Sequence, residues 1–405
     1  MLACRKASAD LCYFARTPNE RVSVAVDLPS LDLLRSLSDQ HVLAAVASAG
    51  QLTRAAVATT TTLSKPTVSQ SVARLLDAGV LVEGERTSGG RGRAGTYLTV
   101  NDAAGCALAV QAGPEGVVGE VVALDGRVLA TRRRALSVPV TAGALGRALV
   151  AVCRALTSDS PGPIRAATLS VADPVDRRTG RVVELPASPF LVGELDPVRL
   201  LEEALPVRPV VDNDVSWALL AEHEQGVASG VDDVLHLYLD EGMGAAMWSG
   251  GRPLHGARGL AGEIAYSRTS VRTAGKRQTT SGTLMECVDA LGYVREGSKA
   301  IDVESLIDDL DRGAGQALSL ADAIGEVARA HAYLLDPELV VLSGGWGRHT
   351  RIVDAVTTAI GDAGGVTSTV AVAQVSEQAP LVGARIAALG ELLRTWSAQP
   401  HAVPR

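Results

Sequence analysis

Short polar and cationic side chains gather on one face of the segment that follows Ser64. Apolar residues recur in this segment at the spacing of an amphipathic helix, so we predict a helix whose apolar face is buried and whose polar face is exposed. The polar face carries Thr67, Gln70, Ala73 and Arg74, with Ser69 at its edge and Lys65 in the first turn. Glutamine pairs bidentately with adenine, serine and threonine reach base edges or phosphates, and arginine reaches guanine or phosphate. The pattern favours a helix that enters the major groove of duplex DNA.

A glycine-rich tract follows this helix. It runs from Ser88 to Gly95 and contains Arg91 and Arg93. Glycines let a backbone approach DNA closely, and arginines bind phosphates or a narrow minor groove. The tract is typical of a wing, the β-hairpin behind a helix-turn-helix. The alternative is a small three-helix domain whose polar face is only solvated.

The elements that must hold these residues are indicated by helix-end signals. Ser64 is placed to cap the helix, Pro66 suits its first turn, and Gly79 marks its end. An earlier helix is predicted from Gln40 to Ala49. The winged helix-turn-helix domain is therefore predicted over residues 30–101, after a mobile leader of residues 1–29.

Composition limits the remaining choices. The chain has 405 residues, of which 47% are hydrophobic and 20% charged, so two or three globular domains are expected. A formal net charge of −7 argues against a nonspecific coat on nucleic acid, but it allows a local basic patch on an acidic body. The cysteines form no CxxC pair, and the sequence shows neither a signal peptide nor a membrane-spanning run. We expect a cytoplasmic protein without membrane contact.

After residue 101 the pattern changes to strands and helices of an α/β body. Three strands are predicted from Cys106 onward, then a helix at 142–156 and a buried strand at 164–171. A second unit is predicted to begin near Pro209 with a short strand. It continues with a helix at 215–225, strands at 234–239, 245–248 and 339–343, a helix at 318–334, a strand near 370 and a helix at 380–396. Periodicity alone supports an α/β class.

Three segments of the body resemble the ROK family (repressors, open reading frames and sugar kinases), specifically its regulators with an N-terminal winged helix. They are Val211-Asp-Asn-Asp through Glu222, the glycine loop from Gly242 to the Ala261-Gly-Glu motif, and Leu335 to Gly345. Their order behind a winged helix makes the resemblance specific. It implies an α/β fold with two actin-like (ribonuclease-H-like) lobes of the sugar-kinase type, at about 102–208 with helix 380–397 and at 209–379.

The resemblance also implies a sugar site. In relatives, residues at the positions of Asn213, Asp214 and Glu263 hydrogen-bond sugar hydroxyls, and in kinases the aspartate is the general base. Tyr266, which stands where many relatives have histidine, could donate a hydrogen bond to a ligand or could simply pack. The alternative for Asn213 and Asp214 is that they cap the next helix, and both roles can coexist.

The sequence departs from the family pattern where phosphate and metal would bind. The family's first phosphate loop, DxGGT, is replaced by a stretch from Gln111 to Glu115 that contains Pro114. The second loop begins Asp240-Glu241, which again adds acid where donors are needed. The zinc ligands of relatives are also missing around Tyr266. We therefore expect no phosphoryl transfer, no metal and no cofactor.

Together these observations predict a sequence-specific transcription regulator, most readily a repressor, with a non-catalytic sugar-kinase-like sensor domain. Its partners would be double-stranded operator DNA, a small carbohydrate effector and further copies of the chain in a homodimer or homotetramer. The alternatives are an effector-independent DNA-binding protein with a vestigial pocket and, less favoured, an active sugar kinase.

Overall fold

The computed structural model describes residues 31–86, 95–137, 140–183, 185, 191–192, 194–273, 279–297, 299–362, 364–365, 367–375 and 378–397. The chain forms an N-terminal head and a body built on two five-stranded sheets. No helix among these residues is long and apolar enough to cross a membrane.

The head is a winged helix-turn-helix. Its elements are α1 (Leu31–Ala49), β1 (Leu52–Thr53), α2 (Arg54–Thr61), α3 (Lys65–Asp77), β2 (Leu81–Arg86) and β3 (Thr96–Val100). The strands pair antiparallel in the order β1-β3-β2, so that β2 and β3 form the hairpin behind the helices. This confirms the predicted architecture.

Local capping explains where α3 begins and ends. The backbone N–H of Thr67 donates to Ser64 Oγ at 3.2 Å, and Pro66 stands in the first turn, as the sequence predicts. Gly79 follows the helix with φ +70°, a left-handed conformation that favours glycine. The turn before α3 places Thr62 at φ 56°, which is unusual for a β-branched residue.

The first sheet of the body has the order β12-β8-β4-β5-β6. Strands β4, β8 and β12 are parallel, and β5 and β6 add antiparallel strands at one edge. The strands are β4 (Cys106–Gly113), β5 (Gly116–Val122), β6 (Val128–Ala135), β8 (Ile164–Val171) and β12 (Val210–Asn213).

The second sheet repeats this topology in the order β15-β14-β13-β18-β19. Strands β13, β18 and β19 are parallel, and β14 and β15 are antiparallel. The strands are β13 (Val234–Leu239), β14 (Met243–Ser249), β15 (Arg252–Pro253), β18 (Leu339–Ser343) and β19 (Thr369–Val372). The repeated order, three antiparallel strands followed by two parallel ones, is the predicted two-lobed actin-like fold.

The predicted boundary between the two lobes is misplaced by one strand. The sequence placed the strand near Pro209 at the start of the second lobe, but Val210–Asn213 pairs in parallel with β8 and completes the first sheet. The reason is that the first lobe needs a fifth strand, and this short apolar segment supplies it before the chain crosses over.

Short strands and one-turn helices fill the connections. They are β7 (Val140–Thr141), β9 (Val175–Asp176), β10 (Arg181–Val182), β11 (Leu191–Val192), β16 (Arg268–Arg272), β17 (Thr279–Thr283), and 3-10 turns at Asp102–Ala104 and Ile264–Tyr266.

Helices cover both sheets. They are α4 (Ala142–Asp159), α5 (Pro197–Glu202), α6 (Asp214–Gln225), α7 (Leu284–Ala290), α8 (Val303–Arg312), α9 (Gly315–Leu335), α10 (Thr350–Gly361) and α11 (Ala379–Ser397). Helix α11 packs on the first sheet and against α6, which also contacts the second sheet.

The head is packed onto the body. Helix α1 contacts α11, and one apolar core joins Val42 and Val46 of α1 to Leu381 and Ala384 of α11. The same core reaches the inner strand β4 of the first sheet. The head and the first lobe therefore share buried surface.

Candidate ligand cleft and nucleic-acid face

The exposed face of α3 is short and polar. The side chains of Lys65, Ser69, Gln70 and Ala73 are exposed, and Thr67 is half-buried. The Thr67 hydroxyl lies 2.7 Å from Ser64 Oγ, so it closes the cap as well as facing outward. No long apolar side chain obstructs this face, which suits approach to a groove.

Arg74 does not belong to this face, which corrects the sequence expectation. Its guanidinium makes a bidentate ion pair with Asp39 of α1, at 2.9 Å from Nε and 2.6 Å from Nη2, and it also donates to Ser71. Asp39 is only 3% exposed. The arginine is held inward because a buried carboxylate on α1 needs a partner.

The expected wing cations are not located by the structure. Arg91 and Arg93 lie outside the described residues. Their role in DNA contact stays a prediction.

A cavity of about 920 Å³ lies between the two lobes. Its wall is formed by the ends of β4, β8, β12 and β13, the start of α6 and the loop before the second 3-10 turn. Asn213, Asp214, Glu263 and Tyr266, the four residues expected to bind a sugar, all line it. The fold thus brings them together.

Asn213 and Asp214 also cap α6, as the alternative interpretation held. Asn213 Oδ1 accepts the backbone N–H of Val215 at 2.9 Å, and Asp214 Oδ1 accepts the same N–H at 2.8 Å. The Asn213 amide group and the second oxygen of Asp214 are not used by the cap. Capping therefore fixes both side chains at the cavity wall.

Several carboxyl groups crowd the deep end of the cavity. Burial and the nearby charges of Asp173, Glu263 and Asp240 raise the pKa of Asp214 to about 7. Burial, and then Asp173, raise the pKa of Glu263 to about 7. The cause is general, because a carboxylate that has lost water and faces other carboxylates is costly to ionise.

A second acid lies beside a histidine at the same wall. Asp212 Oδ2 is 3.7 Å from His255 Nδ1 and 3.7 Å from Arg177 Nε. Burial lowers the pKa of His255, so its ring is neutral near pH 7. His255 Nε2 is buried and has no hydrogen-bond partner among the described residues.

Tyr266 stands at the cavity mouth and is 37% exposed. It ends the short turn that begins after Glu263, where the backbone N–H of Tyr266 donates to Glu263 O at 3.2 Å. The two residues therefore belong to one short turn.

The turn between β4 and β5 takes the place of the first phosphate loop. Gly113 pairs directly with Gly116, so the turn contains only Pro114 and Glu115. Pro114 has no N–H to offer, and the Glu115 side chain is exposed at the cavity. This turn presents an acid where a phosphate would require donors.

At the second glycine loop, which begins at Asp240, backbone N–H groups are already bound by the Asp240 carboxylate. Asp240 Oδ2 accepts the backbone N–H of Gly345 at 2.7 Å, and Asp240 Oδ1 accepts that of Glu241 at 2.8 Å. The Trp346 indole N–H donates to Asp240 O, and Glu241 pairs with Arg295 at 2.6 Å. A bound phosphate would have to displace a carboxylate from these amides.

The residues present do not fit the zinc ion of some relatives. Among the described residues, no group of three His, Cys, Asp or Glu side chains could hold a metal. Strands β16 and β17 pair as a plain hairpin, and the Cys287 thiol contacts the carbonyls of Thr269 and Thr280. Burial raises the pKa of Cys287, which disfavours the thiolate that zinc requires.

Two wall residues were missed by sequence reasoning, Asp173 and Asp212. Asp173 follows the buried strand β8 and is 3% exposed, and Asp212 lies in β12, the parallel neighbour of β8. The carboxyl ends of parallel strands meet at one edge, where ligands bind in open α/β sheets. An acid at or just after the carboxyl end of each strand was therefore a usable signal.

The ROK family model matches residues 107–391, more than half of the chain, and the protein belongs to the ROK family. The chain is 27% identical over 233 residues to the bifunctional enzyme NanE/NanK of Brucella melitensis, covering 56% of this chain and 44% of that protein. It is 25% identical over 240 residues to the DNA-binding transcriptional dual regulator NagC of Escherichia coli, covering 58% of each. The chain spans about half the length of the curated relatives it matches.

In fold, the chain is similar to a ROK family transcriptional regulator described as a homologue of the E. coli MLC protein. The TM-score is 0.64 at 18% identity, and the match covers 90% of this chain and 99% of that one. At this identity the likeness shows the fold alone.

Proposed function

We propose that this protein is a sequence-specific DNA-binding transcription regulator, a repressor, whose ROK body senses a carbohydrate and does not phosphorylate it. The observation that carries the proposal is the exposed polar face of α3, held by a capped helix in a winged helix-turn-helix and packed onto a ROK body. Gln70 and Ser69 read base edges, Thr67 and Lys65 contact phosphates or bases, and Arg91 and Arg93 anchor the wing.

The two altered phosphate loops support a sensor in preference to a kinase. Glu115 and the Asp240 carboxylate stand where a polyphosphate would bind, and the Gly345 N–H is already bound by Asp240. A like charge in a poorly solvated site costs on the order of several kcal/mol. Asp214 lies where a kinase would have its general base, but neither altered loop is suited to bind the phosphate donor.

Ligand binding reaches the DNA face through a short series of packed helices. Asn213 and Asp214 begin α6 at the cavity, and α6 packs against α11. Helix α11 contacts α1, and Asp39 of α1 holds Arg74 of α3. A ligand that moves α6 therefore shifts α11, then α1, and so changes the orientation of the recognition helix.

A homodimer, or a homotetramer built from such dimers, would present two heads to a pseudo-palindromic operator. Ligand-dependent movement of the heads would then alter the half-site spacing that the pair can bridge. This coupling distinguishes the proposal from an effector-independent DNA-binding protein, which would bind the same operator whatever fills the cleft.

The test begins with selection of bound duplexes from a random DNA library by the full-length protein. We expect enrichment of one sequence, and we expect Gln70→Ala to weaken its binding by about 1–3 kcal/mol, the usual value of a base contact. The matched control is Thr131→Ala, an exposed change on β6 of the body, which should leave affinity unchanged.

Phosphoryl transfer is measured on the same preparation by ADP release with Mg-ATP and a panel of hexoses. We expect no turnover above background. Sugar-dependent ADP release, or the absence of any enriched duplex, would overturn the proposal.

A further inference from the structure

The cavity wall offers many hydrogen-bond acceptors and few donors. Two arginines and two histidines face it together with eight carboxyl groups, which are Glu115, Asp173, Asp212, Asp214, Glu222, Asp240, Glu241 and Glu263. A ligand that fits such a wall must itself bring donors or positive charge. The question is which of these carboxyl groups are left for a ligand.

Most of these acids have partners within the protein. Glu222 accepts backbone N–H groups from Val227, Gln374 and Val375. Asp212 faces His255 and Arg177, Asp240 accepts the backbone N–H of Gly345, and Glu241 pairs with Arg295. Asp173 also interacts within the protein.

Asp214 and Glu263 are the two acids that the family resemblance places on the sugar, and one oxygen of Asp214 also accepts the backbone N–H of Val215. Neither makes an ion pair with any described residue, and the charges that act on Asp214 belong to three other acids. Both residues lie on the wall where the sugar would be held. Because burial makes both groups costly to ionise, a positively charged ligand would stabilise their carboxylate forms.

The arginines of the wall do not balance this charge. Arg348 donates to Val375 O at 2.7 Å, and its charge acts on His236. Arg133 is exposed on the outer strand β6. Arg348 is thus held at Val375, and Arg133 lies on the edge strand of the first sheet.

A buried imidazole nitrogen supplies independent evidence that a donor is expected. His255 is neutral, and its Nδ1 faces Asp212 at 3.7 Å. The neutral ring carries one N–H, and the nearby Asp212 carboxylate favours its placement on Nδ1, which leaves Nε2 as an acceptor. Nε2 is buried without a partner among the described residues, in the wall that Asp214 and Glu263 share. The wall thus presents carboxylates and a ring nitrogen, all of which accept hydrogen bonds.

We propose that the cleft binds a cationic amino sugar or aminocyclitol, a polyol with a free ammonium group, and excludes sugar phosphates and sugar acids. The ammonium group donates to Asp214 and Glu263, and the hydroxyls contact Asn213, His255 and Tyr266. A phosphate would face the crowded carboxylates and is repelled. The inference rests on the proposed function, because it takes the cleft to be the carbohydrate sensor.

The test compares matched ligands by isothermal titration calorimetry at about pH 7. The amines are glucosamine, galactosamine and mannosamine, each paired with its parent hexose, its N-acetyl derivative and its 6-phosphate. We expect the amine to bind at least about tenfold more tightly than the other three in one or more of the series, a difference of about 1.4 kcal/mol. A parent hexose, N-acetyl sugar or phosphate that binds as tightly as the amine in every series would overturn the inference and leave the sensor proposal standing.

Variants assign the preference to the carboxyl groups. Glu263→Gln keeps shape and should remove the amine preference while the parent hexose still binds, and Asp214→Asn serves as the second variant if the first fails to fold. Glu326→Gln, an exposed acid of α9 that pairs with Arg329, is the control and should keep the preference. An unchanged amine preference in both cleft variants would overturn the inference.

A panel in which no sugar binds would defeat the inference together with carbohydrate sensing. The DNA-selection experiment is independent of this panel. It would still decide whether the protein is a DNA-binding regulator.

Discussion

Gly383 in α11 provides the sharpest test of how body and head are joined. A Cβ at this position would lie 1.8 Å from the Trp217 carbonyl oxygen and 2.5 Å from its carbon, both in the backbone of α6. A carbon–oxygen contact normally spans about 3.3 Å, so α6 and α11 would have to separate by about 1.5 Å. Close backbone packing of this kind requires glycine.

The size of the effect follows from two opposing terms. Gly→Ala inside a helix gains about 0.5–1 kcal/mol, and overpacking costs typically about 1–3 kcal/mol and sometimes more. Because a backbone carbonyl cannot rotate away, the upper part of that cost applies. We expect Gly383→Ala to lower the free energy of unfolding by about 2–3 kcal/mol and to weaken ligand control of DNA binding.

Gly390, about two helical turns further along α11, is the matched control. A Cβ there meets only the end of the Arg394 side chain, at 3.8 Å. Gly390→Ala should therefore stabilise the protein by about 0.5–1 kcal/mol. Denaturant unfolding of the two variants measures both values. Equal stability of Gly383→Ala and the wild type would refute the packing of α6 on α11 described above.

Three further outcomes are expected. Arg74→Met removes the guanidinium that pairs with the buried Asp39 carboxylate, and it should destabilise the protein by about 3–5 kcal/mol in thermal unfolding. Gln70→Ala, on the exposed face of the same helix, should change stability by less than about 0.5 kcal/mol. A stable Arg74→Met variant with weakened DNA binding would show instead that Arg74 belongs to the DNA-binding face. Thr62→Gly should stabilise the protein by about 1 kcal/mol in denaturant unfolding, since φ is 56° there, and a loss of stability would contradict that backbone conformation. The pKa of Asp214 is raised from 3.8 to about 7, so the stabilising contribution of its neutral form is fully present below about pH 3.8 and is lost progressively as pH rises towards about 7. Asp214→Asn should therefore raise the unfolding temperature more at about pH 8 than at about pH 5, and an equal shift at both values would argue against the raised pKa.

Elements with strong local signals were predictable from sequence. Ser64 caps α3 as expected, and the buried strands Ile164–Val171 and Val234–Leu239 have the predicted bounds. Cap chemistry and short, mainly apolar runs are local features of the chain, so a single sequence contains the needed information.

The failures have a different cause. Arg74 occupies an outward position on a helical wheel, but its long side chain reaches back to Asp39, which lies 35 residues earlier in the chain. Val210–Asn213 looks like the start of a new unit, and only pairing with β8 assigns it to the first sheet. Both depend on partners distant in sequence, which periodicity does not reveal.

The candidate site falls between these cases. Its motif residues Asn213, Asp214 and Glu263 were identified from the family resemblance, and the fold brings them to one cavity. The acidity of the wall was missed, because Asp173 and Asp212 become neighbours of this group only through the parallel pairing of β8 and β12.

The most direct test is one titration of the full-length protein on its selected duplex. Duplex affinity is followed while an amino sugar is added in the presence of Mg-ATP, and ADP is measured in the same samples. We predict that duplex affinity changes as the sugar fills the cleft and that no ADP forms. ADP accumulation, or a duplex affinity that no sugar alters, would contradict the account of a DNA-binding sensor without phosphoryl transfer.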